Sequence, residues 1–211
     1  MWSRVWIGTQ VSLYIGFLAA FLDLAVGVAY GAISGLFGGR VDDVMQRGIE
    51  ILNGVPYLVV AILAMIVLEP GIITITIAIG ITSWTYMARI VRGRMLQLKD
   101  QEFALASRSL GAGRWRLLTK HLLPNSLGPM IVNLMFTIPL AIFAEAFLSF
   151  IGLGIQPPDT SLGALISEGY KELRFHAYLL WFPTAVFSLL MISFNLLGDG
   201  LRDALDPKMR K

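Results

Sequence analysis

Five apolar runs, each near the length a helix needs to cross a bilayer, leave this chain few folds to choose from. They cover residues 11–37, 44–68, 72–88, 127–147 and 178–197, the third being the shortest. A helix rises about 1.5 Å per residue, so roughly 20 apolar residues span the ~30 Å of hydrocarbon. Lipid offers no partner to backbone N–H and C=O groups, so each run is expected to satisfy them internally as a helix. Composition agrees: 56% of the 211 residues are hydrophobic and 15% charged, with mean hydropathy +0.70. A soluble domain carries about a quarter charged residues. The expectation is an all-α membrane protein, one transmembrane domain over residues 1–211 with five transmembrane helices.

Between the third and fourth runs lies a basic loop, 89–124, with eight Lys or Arg and two acids. Positive residues collect on the cytoplasmic side of a membrane protein. Placing the C-terminus inside leaves Arg40, Arg47, the eight basic residues of the loop, Arg202, Lys208, Arg210 and Lys211 on that side. Only Arg4, Lys171 and Arg174 fall outside. The C-terminus is therefore expected in the cytoplasm and the N-terminus outside. The first residues, MWSRVWIGTQ, lack the pattern of a signal peptide. An external N-terminus without one implies a missing earlier span, hence the C-terminal part of a longer subunit. Residues 148–177 hold Gly152, Gly154, Pro157, Pro158 and Asp159 before SLGALISEGYKELRF, which reads as a turn and a short external interfacial helix.

Within the spans, Gly27, Gly31 and Gly35 repeat every four residues. Such spacing lets helix backbones touch, within this subunit or against another; a pair inside the subunit is favoured. Asp23, mid-span, is a costly carboxylate that either lines a translocation path or is satisfied by a neighbouring helix. Glu145 either lines a path or ties down the Gly-rich turn after it. Pro56 and Pro139 fall inside spans, where proline frees a carbonyl and bends a helix. The alternating charges of Lys171, Glu172 and Arg174 read as a solvated face.

Topology and anionic headgroups account for Arg89, Arg92 and Arg94. They do not account for Ala104, Ala106, Ser107, Ser109, Gly111, Ala112 and Gly113. Small side chains on a surface helix make sense where another surface comes close. Residues 102–109 are expected to be a helix, Gly111-Ala112-Gly113 to break it, and a second amphipathic run to end at Pro124. This elbow is the candidate docking site.

The chain has no cysteine, its two histidines, His121 and His176, lie far apart, and it has no G-x-x-x-x-G-K-[ST] loop to cradle phosphates. No metal, cofactor, nucleic-acid partner or catalysis is expected.

Leu105-Ala106-Ser107, three residues, Gly111, nine residues, His121, one residue and Leu123-Pro124 resemble the EAA loop of ABC importer permeases. Ala106, Gly111, Leu123 and Pro124 match that pattern. Leu105, Ser107 and His121 depart from it, and Glu102 stands one turn before the missing glutamate. AEAFLSFIGLGIQPP (144–158) and FNLLGDGLRDALDP (194–207) resemble the C-type subunits of the dipeptide, oligopeptide and nickel permease group, over essentially the whole chain. The resemblance implies a type I importer permease core in a bacterial or archaeal plasma membrane. It implies a homologous second permease, two cytoplasmic ATPases and an external solute-binding protein as partners. Residues 102–113 would be the coupling helix seated in an ATPase cleft. Di- or oligopeptides are the expected solutes, with nickel or glutathione as alternatives. A fragment of an ion-driven transporter working through Asp23 and Glu145 is a rival, though no inverted repeat supports it.

Overall fold

The computed structural model describes residues 1–68 and 71–205. Nine α-helices are described: α1 Trp2–Phe37, α2 Gly39–Asn53, α3 Tyr57–Val67, α4 Ile72–Leu98, α5 Glu102–Ser109, α6 Arg114–Leu117, α7 Leu127–Phe150, α8 Leu162–Lys171 and α9 Tyr178–Leu205. A π-helical turn, Leu118–Leu122, and a 3-10 turn, Pro124–Ser126, carry α6 into α7. Four helical stretches are long and apolar enough to cross a membrane: α1, α4, 124–150 and α9. The α2–α3 pair makes a fifth if it is counted as one bent span.

Several expected boundaries move: α2 starts at Gly39 rather than residue 44, α7 runs to Phe150 rather than 147 and α9 to Leu205 rather than 197, and three further changes have a visible cause. Helix α1 begins at Trp2 rather than residue 11. The amphipathic start gains a surface there, because Val5 packs with Leu162 and Leu165 of α8 and Arg4 pairs with Glu168 at 2.8 Å. Helix α4 runs to Leu98 instead of residue 88, which places Arg89, Arg92 and Arg94 on a helix rather than in a loop. Buried Ala88, Val91 and Met95 recur at helical spacing and give that extension an apolar face. The 44–68 run is two helices bent by 78°. Pro56 has no N–H and disfavours a helical residue before it, so α2 ends at Asn53 and α3 starts at Tyr57. The charges at Lys208, Arg210 and Lys211, and Asp206-Pro207 of the C-terminal motif, lie outside the described residues.

Helix α1 is the hub, packed along α4 on one side and α7 on another, with α9 resting on α7. The glycine repeat sits in the α1–α4 seam. A Cβ added at Gly31 would lie 2.3 Å from the Ala88 carbonyl oxygen, and one at Gly27 2.8 Å from that of Trp84. The repeat is thus used inside this chain. At one end of the bundle Ile15, Ala19, Ile75, Ala78 and Leu148 pack together. At the other end Ala32, Leu36, Met87, Val91 and Met95 form a second cluster that continues into the elbow.

Candidate docking elbow and buried carboxylates

The elbow is built by local chain chemistry. Helix α5 has Glu102 in its first turn and Arg108 in its last, each matched to the helix macrodipole. It stops at Leu110 because Gly111 adopts φ +82°, a left-handed conformation that costs glycine little. The Ala112 N–H then donates to Ser107 O at 3.0 Å and the Gly111 N–H to Arg108 O at 2.9 Å. This is the paired Schellman closure that satisfies terminal carbonyls. Gly113 is extended and starts α6.

One side of this elbow is bolted to the bundle and the other is bare. Ala104 is fully buried with Leu117, Leu118 and Leu122 in the cluster shared with α1 and α4, and Leu123 packs against it. Leu105 is 48% exposed and Leu110 88%. Glu102, Ala106, Ser109, Gly111, Gly113 and Pro124 are also exposed, while Ser107 and Ala112 are half-buried. The Ser109 hydroxyl is turned back, donating to Leu105 O at 3.1 Å. Beside the elbow a cavity of about 500 Å³ is lined by Lys99, Arg108 and Arg114 with Asp100, over Leu36 and Phe37. The bare face therefore joins apolar side chains to cations.

The two carboxylates lie inside the bundle. Asp23 is 1% exposed, and its Oδ2 accepts from Thr137 of α7 at 2.9 Å. Its Oδ1 has no hydrogen-bond partner. Glu145 is fully buried and accepts from the hydroxyls of Ser12 at 3.1 Å, Ser149 at 2.7 Å and Ser161 at 2.6 Å. Ser161 also caps α8, accepting from Ala164 N–H at 3.0 Å. The Leu162 N–H donates to Ser12 Oγ at 3.1 Å. One carboxylate thus gathers α1, α7 and the start of α8.

Sequence reasoning passed over a second polar cluster, formed by Asp42 with Arg92, Ser34 and Gln46. Membrane sidedness alone accounts for Arg92 in the sequence, and nothing local marks Asp42 as its partner.

Residues 27–211 match the family model described as "Binding-protein-dependent transport system inner membrane component". The chain is 50% identical to the dipeptide transport system permease protein DppC of Bacillus subtilis (strain 168), over 100% of this chain and 66% of that protein. It is 51% identical to the oligopeptide transport system permease protein OppC of the same organism, over 99% of this chain and 68% of the relative. The chain thus spans about two thirds of the length of these relatives. Among solved structures, the MetNI methionine ABC transporter in inward-facing conformations superposes with TM-score 0.75 at 17% identity, covering 95% of this chain and 97% of that one. An amino acid ABC transporter with histidines superposes with TM-score 0.68 at 19% identity, covering 96% of this chain and 94% of the other. These two likenesses are of fold: the helices form a type I importer permease core. The chain belongs to the family of binding-protein-dependent transport system inner membrane components.

Proposed function

We propose that this chain is the membrane permease subunit of an ATP-driven, binding-protein-dependent importer of di- or oligopeptides. It conducts solute and relays the motion of separate ATPase subunits. The substrate class follows the dipeptide and oligopeptide permeases it resembles along its length. The observation that carries the coupling role is the elbow, packed into the α1–α4 cluster through Ala104 while Leu105 and Leu110 stand exposed. Two cytoplasmic ATPases, a second homologous permease and an external solute-binding protein complete the assembly. The elbow and the C-terminus face the cytoplasm, as the distribution of basic residues favours.

In this reading residues 102–113, with Leu123 and Pro124, seat against an ATPase. The cations beside them suit a partner cleft with an acidic rim. ATP binding closes the ATPases and displaces α5. Because Ala104, Leu117 and Leu122 share one packed cluster with Leu36, Met87 and Met95, that displacement reaches α1 and α4 as a body movement, close-packed interiors being stiff. Asp23 and Glu145 act in this conformation as ties between helices. They reach a solute pathway only in a state where those ties open.

The test is uptake by the full complex in liposomes supplied with ATP and a labelled dipeptide. Uptake that persists without the ATPases under a proton gradient would overturn the importer reading. Gly111→Val tests the elbow. An added Cβ there meets no atom within 4 Å, so the effect is one of backbone conformation rather than collision. A branched residue forced into the left-handed region costs ~1–2 kcal/mol, a roughly 5–30-fold shift in the population of the formed elbow. ATP-driven uptake should fall accordingly while the permease stays folded. Normal solute-stimulated ATP hydrolysis in this variant would count against docking through the elbow.

A further inference from the structure

Helix α2 is thinly supported and leans on α1 more than on α4. Of its residues only Asp42 and Ile49 are buried, and it packs sparsely on α4. One polar cluster holds its first turn. Arg92 of α4 grips Asp42 with two nitrogens, Nε on Oδ1 at 2.5 Å and Nη2 on Oδ2 at 2.6 Å. Ser34 of α1 donates to the same Oδ1 at 2.5 Å, and Gln46 Nε2 donates to that hydroxyl oxygen at 3.1 Å. The Asp42 side chain is 9% exposed and that of Arg92 32%. A fork-on-fork contact of this kind, half-open on the Arg92 side, fixes angle and register as well as distance.

The position of this contact matters. Arg92 lies ten residues before Glu102, where the elbow helix begins. One residue beyond Leu98, Lys99 Nζ donates to the Gly35 carbonyl at 3.3 Å, so the end of α4 is tied to the end of α1 as well. At its far end the α2–α3 segment is attached to α4 again, where Ala61 and Met65 pack with Ile75, Ala78 and Ile79. Between these, Thr85 of α4 donates to Asn53 Oδ1 at the end of α2 at 3.1 Å. The bent segment is thus held to α4 at three places, and the ion pair is the one nearest the elbow.

We propose that Asp42 and Arg92 are a positioning pair that makes the α2–α3 segment follow the elbow through the transport cycle. This rests on the elbow being the ATPase-docking element. An apolar contact at this point could slide; the bidentate pair transmits rotation of α4 to α2 without slippage.

The first test uses the full complex with ATPases, second permease and solute-binding protein in liposomes. Asp42→Asn should leave the complex assembled and basal ATP hydrolysis unchanged. It should lower solute-stimulated hydrolysis and uptake about ten-fold, within the ordinary range of coupling between sites. Arg92→Lys should restore part of the loss that Arg92→Gln causes, and the exchange Asp42→Arg with Arg92→Asp should restore part of each single loss. Normal coupling in Asp42→Asn overturns the proposal. So does an equal fall in basal and stimulated hydrolysis in an assembled complex, which would mark a static brace. The second test keeps the pair intact. The chain has no cysteine, so spin labels go cleanly onto Arg47→Cys on α2 and Lys120→Cys on the second limb of the elbow. Their separation should stay constant between nucleotide-free and ATP-bound complexes while both move relative to a label at Leu196→Cys on α9. A changed separation overturns the proposal even if the point variants fail to fold. An elbow variant that keeps its ATPases coupled instead sinks the docking reading, leaving the label distances to be judged separately.

Discussion

Replacing Gly31 with leucine should abolish recovery of folded protein, the largest effect expected of a single change in this chain. Even a methyl group here would stand 2.3 Å from the Ala88 carbonyl oxygen and 2.9 Å from Val91 Cβ. The first obstacle is backbone, so no rotamer change removes it. Helices α1 and α4 would have to separate, and the separation would be felt along the seam. Met87 Cβ lies 2.7 Å from the position of an added Cβ at Gly27, and Met95 Cβ 2.5 Å from that at Gly35. Overpacking by a few methylenes costs ~1–3 kcal/mol where side chains can give; a carbonyl cannot, and a domain has only about 5–15 kcal/mol to lose. Gly31→Ala should be an intermediate case, folded but with a lower thermal midpoint. Gly93 in α4 is the control, since an added Cβ there meets nothing within 4 Å. Gly93→Ala should be neutral or stabilising by ~0.5–1 kcal/mol, as expected for a helical glycine with room. The measurement is the monodisperse fraction after detergent extraction, followed by a thermal melt. A Gly31→Leu protein as monodisperse and heat-stable as the parent would mean that α1 and α4 do not meet along this seam.

The contrast between Gly31 and Asp42 shows what was legible from sequence. The glycine repeat carries its meaning in its own spacing, because residues four apart share a helix face. The elbow was legible for a similar reason. Gly111-Ala112-Gly113 interrupts a helical stretch, and α5 does end before Gly111, at Ser109. Helix ends were less legible, because tertiary neighbours set them. The stretch from Trp2 to Gln10 is helical since α8 covers it, and residues 89–98 are helical since α1 takes their apolar face. Pro56 announced a bend but not one of 78°, whose size depends on how α3 finds its place on α4. Asp42 and Arg92 are 50 positions apart. Neither stands in a pattern that names the other. The same holds for Ser12 and Ser161, which meet at Glu145 only because α1 and α8 converge on α7.

Glu145→Ala should destabilise the end of the bundle opposite the elbow far more than Glu145→Gln does. The carboxylate is fully enclosed and is the acceptor for three hydroxyls from three parts of the chain. Alanine removes that acceptor and opens a hole. Each buried donor left without a partner costs ~1–3 kcal/mol. Serine on a helix can turn to a carbonyl one turn back, as Ser193 does toward Leu189, so Ser12 and Ser149 should recover part of their loss. Ser161 is different. Its oxygen caps α8, and its hydroxyl hydrogen has Glu145 as its partner. A total near 3–5 kcal/mol, on the order of a 10 °C fall in thermal midpoint, is expected for a helical domain of this size. Glutamine keeps the volume and one acceptor oxygen, so its midpoint should fall by less than half as much. Ser161→Ala alone should cost about 1 kcal/mol as a lost N-cap. Combined with Glu145→Ala it should add little more, because the lost cap is offset by removal of the hydroxyl that Glu145→Ala leaves without an acceptor. A residue that lined the solute path would behave in the opposite way, with Ala and Gln both altering the uptake KM while the melt stayed put. That outcome would move Glu145 from a tie between helices to the wall of the pathway.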